Sequence, residues 1–142
     1  MTAVREQPVL DEQLSAVAAA LVRWLETGEQ QDGLFAPDVL ADLSLPHWRL
    51  QTDGAEATYR LRRDEHPFPG AVRVEALDRT SRGFLIQFEE RWRAEDQDWY
   101  CRELIHCAVG EGRITELTVY CTGDWDEIVQ RRHAEQVRLI RP

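Results

Sequence analysis

GEGRITELTVYCTGDWD, residues 110–126, decides how the C-terminal half of this chain is read. Its opening GEG is a turn, and RITELTVYC (113–121) is rich in the β-branched residues that favour a strand. The stretch VYCTGDWDE (119–127) then crowds a cysteine, a tyrosine, a tryptophan and three carboxylates into nine residues. That density has two readings: a catalytic cluster, or a strand running into a helix cap. Asp124 stands three residues before Glu127, the spacing of a capping box. The cap reading is therefore preferred, with a helix running through WDEIVQRRHAEQ (125–136) and Trp125, Ile128 and Val129 on its apolar side. Trp125 is expected to pack on a sheet, where it can also wall a pocket.

Upstream of this stretch lie three more strand-like runs: AVRVEALDR (71–79), GFLIQFEERWR (83–93) and WYCRELIHCAV (99–109). The connections DRTSRG, AEDQD and GEG are short, so the four runs predict an antiparallel meander. DEQLSAVAAALVRWLETG (11–28) predicts a helix capped by Asp11 and stopped by Gly28. Leu14, Val17, Ala18, Leu21 and Leu25 form its single apolar stripe. LFAPDVLADLSLPHWRLQ (34–51) reads as a short turn or helix and then a strand from Val39 to Leu45, bent or placed at an edge by Pro46. DGAEATYRLRRD (53–64) predicts a polar helix capped by Asp53 and Glu56, and HPFPG (66–70) a loop.

The whole chain sets further bounds. Its 142 residues fit one domain, 1–142, and a composition 43% hydrophobic and 30% charged suits a packed globule. A net charge of −9 opposes nucleic-acid binding, because the basic runs RLRR (60–63) and QRRH (130–133) are short and flanked by acids. The longest apolar stretch, Leu14 to Leu25, is broken by Arg23 and too short to span a bilayer. The N-terminal MTAVREQPVLDEQ lacks the pattern of a secretion signal, which leads to an expected cytoplasmic location and no membrane partner. Three cysteines, Cys101, Cys107 and Cys121, are an odd count that argues against a disulfide framework.

Two segments, WLETGEQQDGLFAPDVLADL (24–43) and GEGRITELTVYCTGDWD (110–126), together with the element order, resemble the nuclear transport factor 2-like superfamily. Within it the likeness is to the SnoaL-like group, with ketosteroid isomerase and limonene-epoxide hydrolase. The resemblance implies an α+β fold: a curved antiparallel sheet wrapped by N-terminal helices into a cone, with a C-terminal helix. It also implies a small-molecule pocket and often a dimer. Counting from FAPD, the position matching the isomerase's general base is Leu43, beside Asp42. The position matching its second aspartic acid is Ile105. For the hydrolase's arginine between two aspartates, the nearest approach is Glu89, Arg91 and Glu103.

Side chains alternate along a strand, so Cys101, Glu103, Ile105 and Cys107 share one face of 99–109. The expected pairing brings Glu89 and Arg91 onto that face with Gln87, Leu117 and Val119, making it the partly polar wall of a pocket. By the resemblance, Phe84, Ile86, Phe88, Trp92, Tyr100, Leu104 and Tyr120 then form an apolar convex face that a homodimer would bury; the alternative is that this apolar face meets the helices and the polar face meets water. Two carboxylates in one apolar pocket cannot both ionise cheaply, so Glu103 with Glu89 is the foremost acid–base pair, and Asp42 an alternative base. Arg91, Gln87, His47, Trp48, Tyr120 and Trp125 are the expected substrate contacts. No metal site is expected: Cys101 and Cys107 lie roughly 20 Å apart on a straight strand, and no closely spaced cysteine pair is present. The expected partner is a small apolar organic molecule, handled by proton transfer without a cofactor, as an isomerase, cyclase, dehydratase or epoxide hydrolase would. The other class considered is a non-catalytic ligand-binding or dimeric interaction module.

Overall fold

The computed structural model describes residues 10–142. In chain order it has α1 (Glu12–Thr27), β1 (Phe35–Leu45), β2 (Trp48–Asp53), α2 (Ala55–Glu65), β3 (Gly70–Arg79), β4 (Gly83–Ala94), β5 (Gln97–Gly110), β6 (Arg113–Cys121) and α3 (Glu127–Gln136). The six strands form one sheet in the order β2-β1-β6-β5-β4-β3. All pairs are antiparallel except β1 with β6, so the sheet is mixed rather than wholly antiparallel.

Local chemistry explains most boundaries. Asp11 accepts from the Leu14 N–H at 2.8 Å to start α1, and Gly28, at φ 73°, ends it in the left-handed conformation that costs glycine least. Leu14, Val17, Ala18, Leu21, Trp24 and Leu25 are the buried face of α1. They meet Phe84, Ile86, Phe88, Ile105, Cys107, Leu117 and Val119 from one face of the sheet, and this contact is the core. α2 closes the same face against β1 and β2, and α3 lies beside β5.

Three expectations about element ends change. The segment 34–45 holds no initial helix: β1 already begins at Phe35, and an irregularity between Phe35 and Leu40 absorbs Pro37. Pro46 and His47 turn the chain into the edge strand β2. Asp53 does not cap α2, because it is still paired in β2 opposite Leu40. Gly54 takes that place without a side-chain bond, and Glu56 instead pairs with Arg60 at 2.9 Å. Asp124 does not cap α3 either. Trp125 is held in an extended bridge to Tyr100, which delays the helix by two residues. The cap is Asp126, accepting from the Val129 N–H at 2.9 Å. Asp126→Ala is expected to cost about 1 kcal/mol in a urea melt, and Asp124→Ala to leave α3 capped.

The largest correction is one of register. β4 and β5 join through a two-residue turn, Glu95–Asp96, with φ 54° and 59°, in place of the five-residue loop expected. Such a tight turn matches the twist of the strands it joins. It pairs Glu89 with Arg102, Glu90 with Cys101 and Phe88 with Glu103. That is one residue from the expected pairing, and one residue exchanges the faces of a strand. Phe84, Ile86, Phe88 and Trp92 therefore point into the core and do not form an apolar outer face. Gln87, Glu89 and Arg91 are the residues turned outward. Between β5 and β6 an irregularity at Ala108/Val109 places Glu103 opposite Cys121. This differs by two residues from the expected register, so the inner face of β5 and β6 is as expected.

Candidate active-site cavity

A cavity of about 240 Å³ lies between α1, α2 and the inner face of β1, β5 and β6. That is about eight water molecules' share of liquid volume. Trp24, Leu43, Ile105, Leu117 and Val119 supply apolar walls; Arg62, His66, Glu103, Cys121 and Asp124 are polar groups of the lining, with Thr58 and Glu65. Leu43 and Ile105 occupy the two positions at which the resemblance placed acids, and both reach the cavity.

Glu103 is the chemical centre. Some of the residue remains accessible where it lines the cavity, but its carboxyl is enclosed by protein. Burial raises its pKa well above the ordinary value, reinforced by the negative groups Glu90 and Cys121, while Arg62 opposes the rise. The shift favours the neutral, proton-carrying form of Glu103. Its oxygen accepts from the Cys101 thiol at 3.7 Å, and the same thiol lies 3.8 Å from Glu90. Arg62 satisfies Glu90 through a 2.6 Å bond and also donates to the Leu25 carbonyl at 2.7 Å. Burial raises the pKa of Asp124 as well, with Glu90 adding to the effect. His66 is driven the other way, to about 4, by burial and by Arg62, so it is neutral at physiological pH.

Cys121 completes the group. Its sulfur, the Cys101 sulfur and a Glu103 oxygen lie within 4.8 Å of one another. The register expected from the sequence brings Cys101 close to Cys121 but sets Glu103 near Val119; the observed register puts Glu103 opposite Cys121 and so adds the carboxyl to the group. The three atoms match the donor number of an open zinc site. Charging all three would place three negative groups beside Glu90, with Arg62 already committed to that carboxylate, a load that only the ion's own charge would offset. Without an ion, a protonated Glu103 and a Cys101 thiol leave at most Cys121 charged.

Of the expected site residues, only Glu103 lines this cavity. Glu89 is on the opposite face, held by Arg73 at 3.0 Å and bonded by the Tyr100 hydroxyl at 3.1 Å. Its pKa is lowered, first by the Arg73 hydrogen bond, so it does not pair with Glu103 as an acid. Asp42 also faces outward, locked to Arg49 by bonds of 2.9 and 2.6 Å, and that bond lowers its pKa. His47 is in the β1–β2 turn, and Trp48 is 69% exposed. Gln87 and Tyr120 border a shallow outer groove.

Arg91 and Trp125 line a wider outer groove of about 610 Å³, with Arg73, Glu75, Glu89, Tyr100 and Arg102. It is larger than the inner cavity, yet both its carboxylates are already committed, Glu89 to Arg73 and Glu75 to Arg102 at 2.7 Å. The inner cavity is smaller, more enclosed and holds the carboxyls with raised pKa values, Glu103 and Asp124, which is what an active site needs. The residues that sequence reasoning missed are Arg62, Asp124 and Cys121. Asp124 and Cys121 were both in the stretch first singled out, under a different reading.

Among the described residues no helix is long and apolar enough to cross a membrane. No family model matches the sequence, and no curated protein matches it. Solved structures do match. A limonene-epoxide-hydrolase-like epoxide hydrolase of M. tuberculosis superposes with a TM-score of 0.62 at 14% identity, over 77% of this chain and 82% of that one. A protein of Jannaschia sp. CCS1 assigned as a SnoaL-like polyketide cyclase gives 0.63 at 12% identity, over 96% and 100%. A nuclear transport factor 2-like protein of unknown function from Burkholderia xenovorans gives 0.58 at 15%, over 91% and 96%. With α1 and α2 folded onto the inner face of one curved, unclosed six-stranded sheet and α3 beside β5, the chain shares the α+β cone fold of these nuclear transport factor 2-like and SnoaL-like structures.

Proposed function

We propose that the inner cavity binds a small, mostly apolar molecule bearing a carbonyl or epoxide oxygen, and that Glu103 delivers a proton to that oxygen. The observation that carries this reading is a carboxyl at the wall of a largely apolar cavity, where burial favours its proton-carrying form. A neutral acid in such a place is a strong hydrogen-bond donor and a competent general acid. Asp124, which also lines the cavity, takes the part of second titrating group that sequence reasoning gave to Glu89 or Asp42. The reaction classes that need this equipment are isomerisation, cyclisation, dehydration and epoxide opening, none of which requires a cofactor.

Limonene 1,2-epoxide and cyclohexanone are suitable probes of size and polarity. Calorimetry is expected to show binding of either by the wild type. Glu103→Gln keeps a donor and loses the acid, so binding is expected within a few-fold while epoxide opening falls about 10²- to 10⁴-fold. Failure of both probes to bind, or an unchanged opening rate in Glu103→Gln, would remove this reading. A second reading, ligand binding without turnover, draws on Leu43 and Ile105, the apolar residues at the matched acid positions. Wild-type binding with no product would select it. Native mass spectrometry of the same sample reads ligand occupancy and whether two copies associate, the homodimer that we also propose.

A further inference from the structure

We propose that Cys121 is a nucleophile that adds to α,β-unsaturated carbonyl compounds held in the inner cavity, with Glu103 protonating the resulting enolate. The inference rests on the inner cavity being the ligand site, and it names a substrate class that the general acid alone does not select.

Four features of the cluster lead here. Cys121 lines the cavity beside Glu103, so a ligand that meets the carboxyl also meets the sulfur. The Gly123 N–H donates to the Cys121 sulfur at 3.3 Å, and Cys101 and Glu103 lie within 4.8 Å. Donors converging on a sulfur favour its thiolate, the form that attacks carbon. In keeping with this, the neighbouring Cys101 thiol, then the Gly123 N–H and Glu103, hold the Cys121 pKa down against the opposing effects of burial and Asp124. The two remaining thiols are disarmed: Cys101 and Cys107 are buried, and burial pushes Cys107 upward with no compensating partner.

The pair is also poorly placed to collapse into a disulfide. Glu103 is the residue directly opposite Cys121, so Cys101 is its diagonal neighbour two residues along β5. Diagonal Cα atoms in an antiparallel pair are about 7–8 Å apart, beyond the usual disulfide span of about 4.4–6.8 Å. Cys121 thus stays available.

The step is an addition and needs no oxidant. The Cys121 thiolate, its proton released to solvent, forms a bond to the β-carbon. The π pair of the carbon–carbon double bond moves to give the enolate. The Glu103 proton goes to the α-carbon, and Glu103 regains one from solvent. The sum is a thiol added across the double bond.

The test uses the full chain with 2-cyclohexen-1-one, followed by intact mass and peptide mapping. One adduct on Cys121 is expected, formed faster than on glutathione, absent in Cys121→Ser and at least 10-fold slower in Glu103→Gln. Cys101→Ala is expected to leave the adduct on Cys121 and slow it. An adduct on Cys101 or Cys107, a rate no greater than that of glutathione, or an undiminished rate in Glu103→Gln would overturn the proposal. Saturated cyclohexanone, which has no double bond to attack, separates the two readings. If it binds and the enone forms no adduct, the nucleophile is wrong and the cavity reading stands. If it does not bind and no adduct forms, both fall.

Discussion

Arg62→Met is expected to destabilise the chain by about 3–5 kcal/mol, the usual cost of removing one partner from a buried ion pair. Its melting temperature should fall by roughly 10 °C or more. The side chains of Arg62 and Glu90 are only 13% and 5% exposed, and their contact is 2.6 Å. Methionine fills much of the same volume, so the loss is electrostatic: Glu90 is left in the core facing Glu103, Cys101 and Asp124 with no cation. The Leu25 carbonyl also loses its partner, and it belongs to the last turn of α1, where carbonyls have no partner within the helix. Arg62 further sits 5.9 Å from the Trp24 ring centre. The double variant Arg62→Met, Glu90→Met is expected to recover most of the loss, because no buried charge is then unpaired. A single variant as stable as the wild type would show that the ion pair does not hold α2 to the sheet.

Glu103→Gln is expected to stabilise the fold near neutral pH while disabling the proposed acid. The pKa of Glu103 is raised on folding from an ordinary 4.5, so above 4.5 the folded chain holds a proton that the unfolded chain releases. Stability from this group is complete below that value and is lost as pH rises through the folded value. Glutamine is neutral throughout and escapes the loss. The stability difference, variant minus wild type, should be near zero at pH 4, grow as the pH rises above 4.5, and level off once the pH passes the folded value, as read in urea melts. His66 acts in the opposite direction: its pKa, lowered to about 4, costs the fold stability as pH falls below 6.5. That slope is common to both proteins and cancels in the difference. A flat difference across this range would mean that Glu103 is solvated and ionised, and the acid proposed here would lose its basis. Sites that gain when a strained or desolvated functional group is removed show the usual exchange of stability against activity.

The sequence by itself determined the elements. A helical stripe closed by Asp11 and Gly28 set α1, and alternation broken at short turns set β3 to β6, because these signals are local and repeat within a few residues. It also placed Glu103 on the inner face, since a two-residue error in register preserves the face. What it left undecided depends on single residues at turns. The tight Glu95–Asp96 turn moved Glu89 and Arg91 outward and brought Glu90 into the core, where α2 supplies Arg62 from 28 positions away. The bridge between Trp125 and Tyr100 released Asp124 from a helix cap to the cavity. The opposition of Glu103 and Cys121 set a carboxyl of β5 beside a thiol of β6, with Cys101 as the third member of the group. Alternation has a period of two, so composition and pattern are equally satisfied by either face until turns and bulges fix the register. The tertiary structure alone makes that choice, and with it selects the residues that share the cavity.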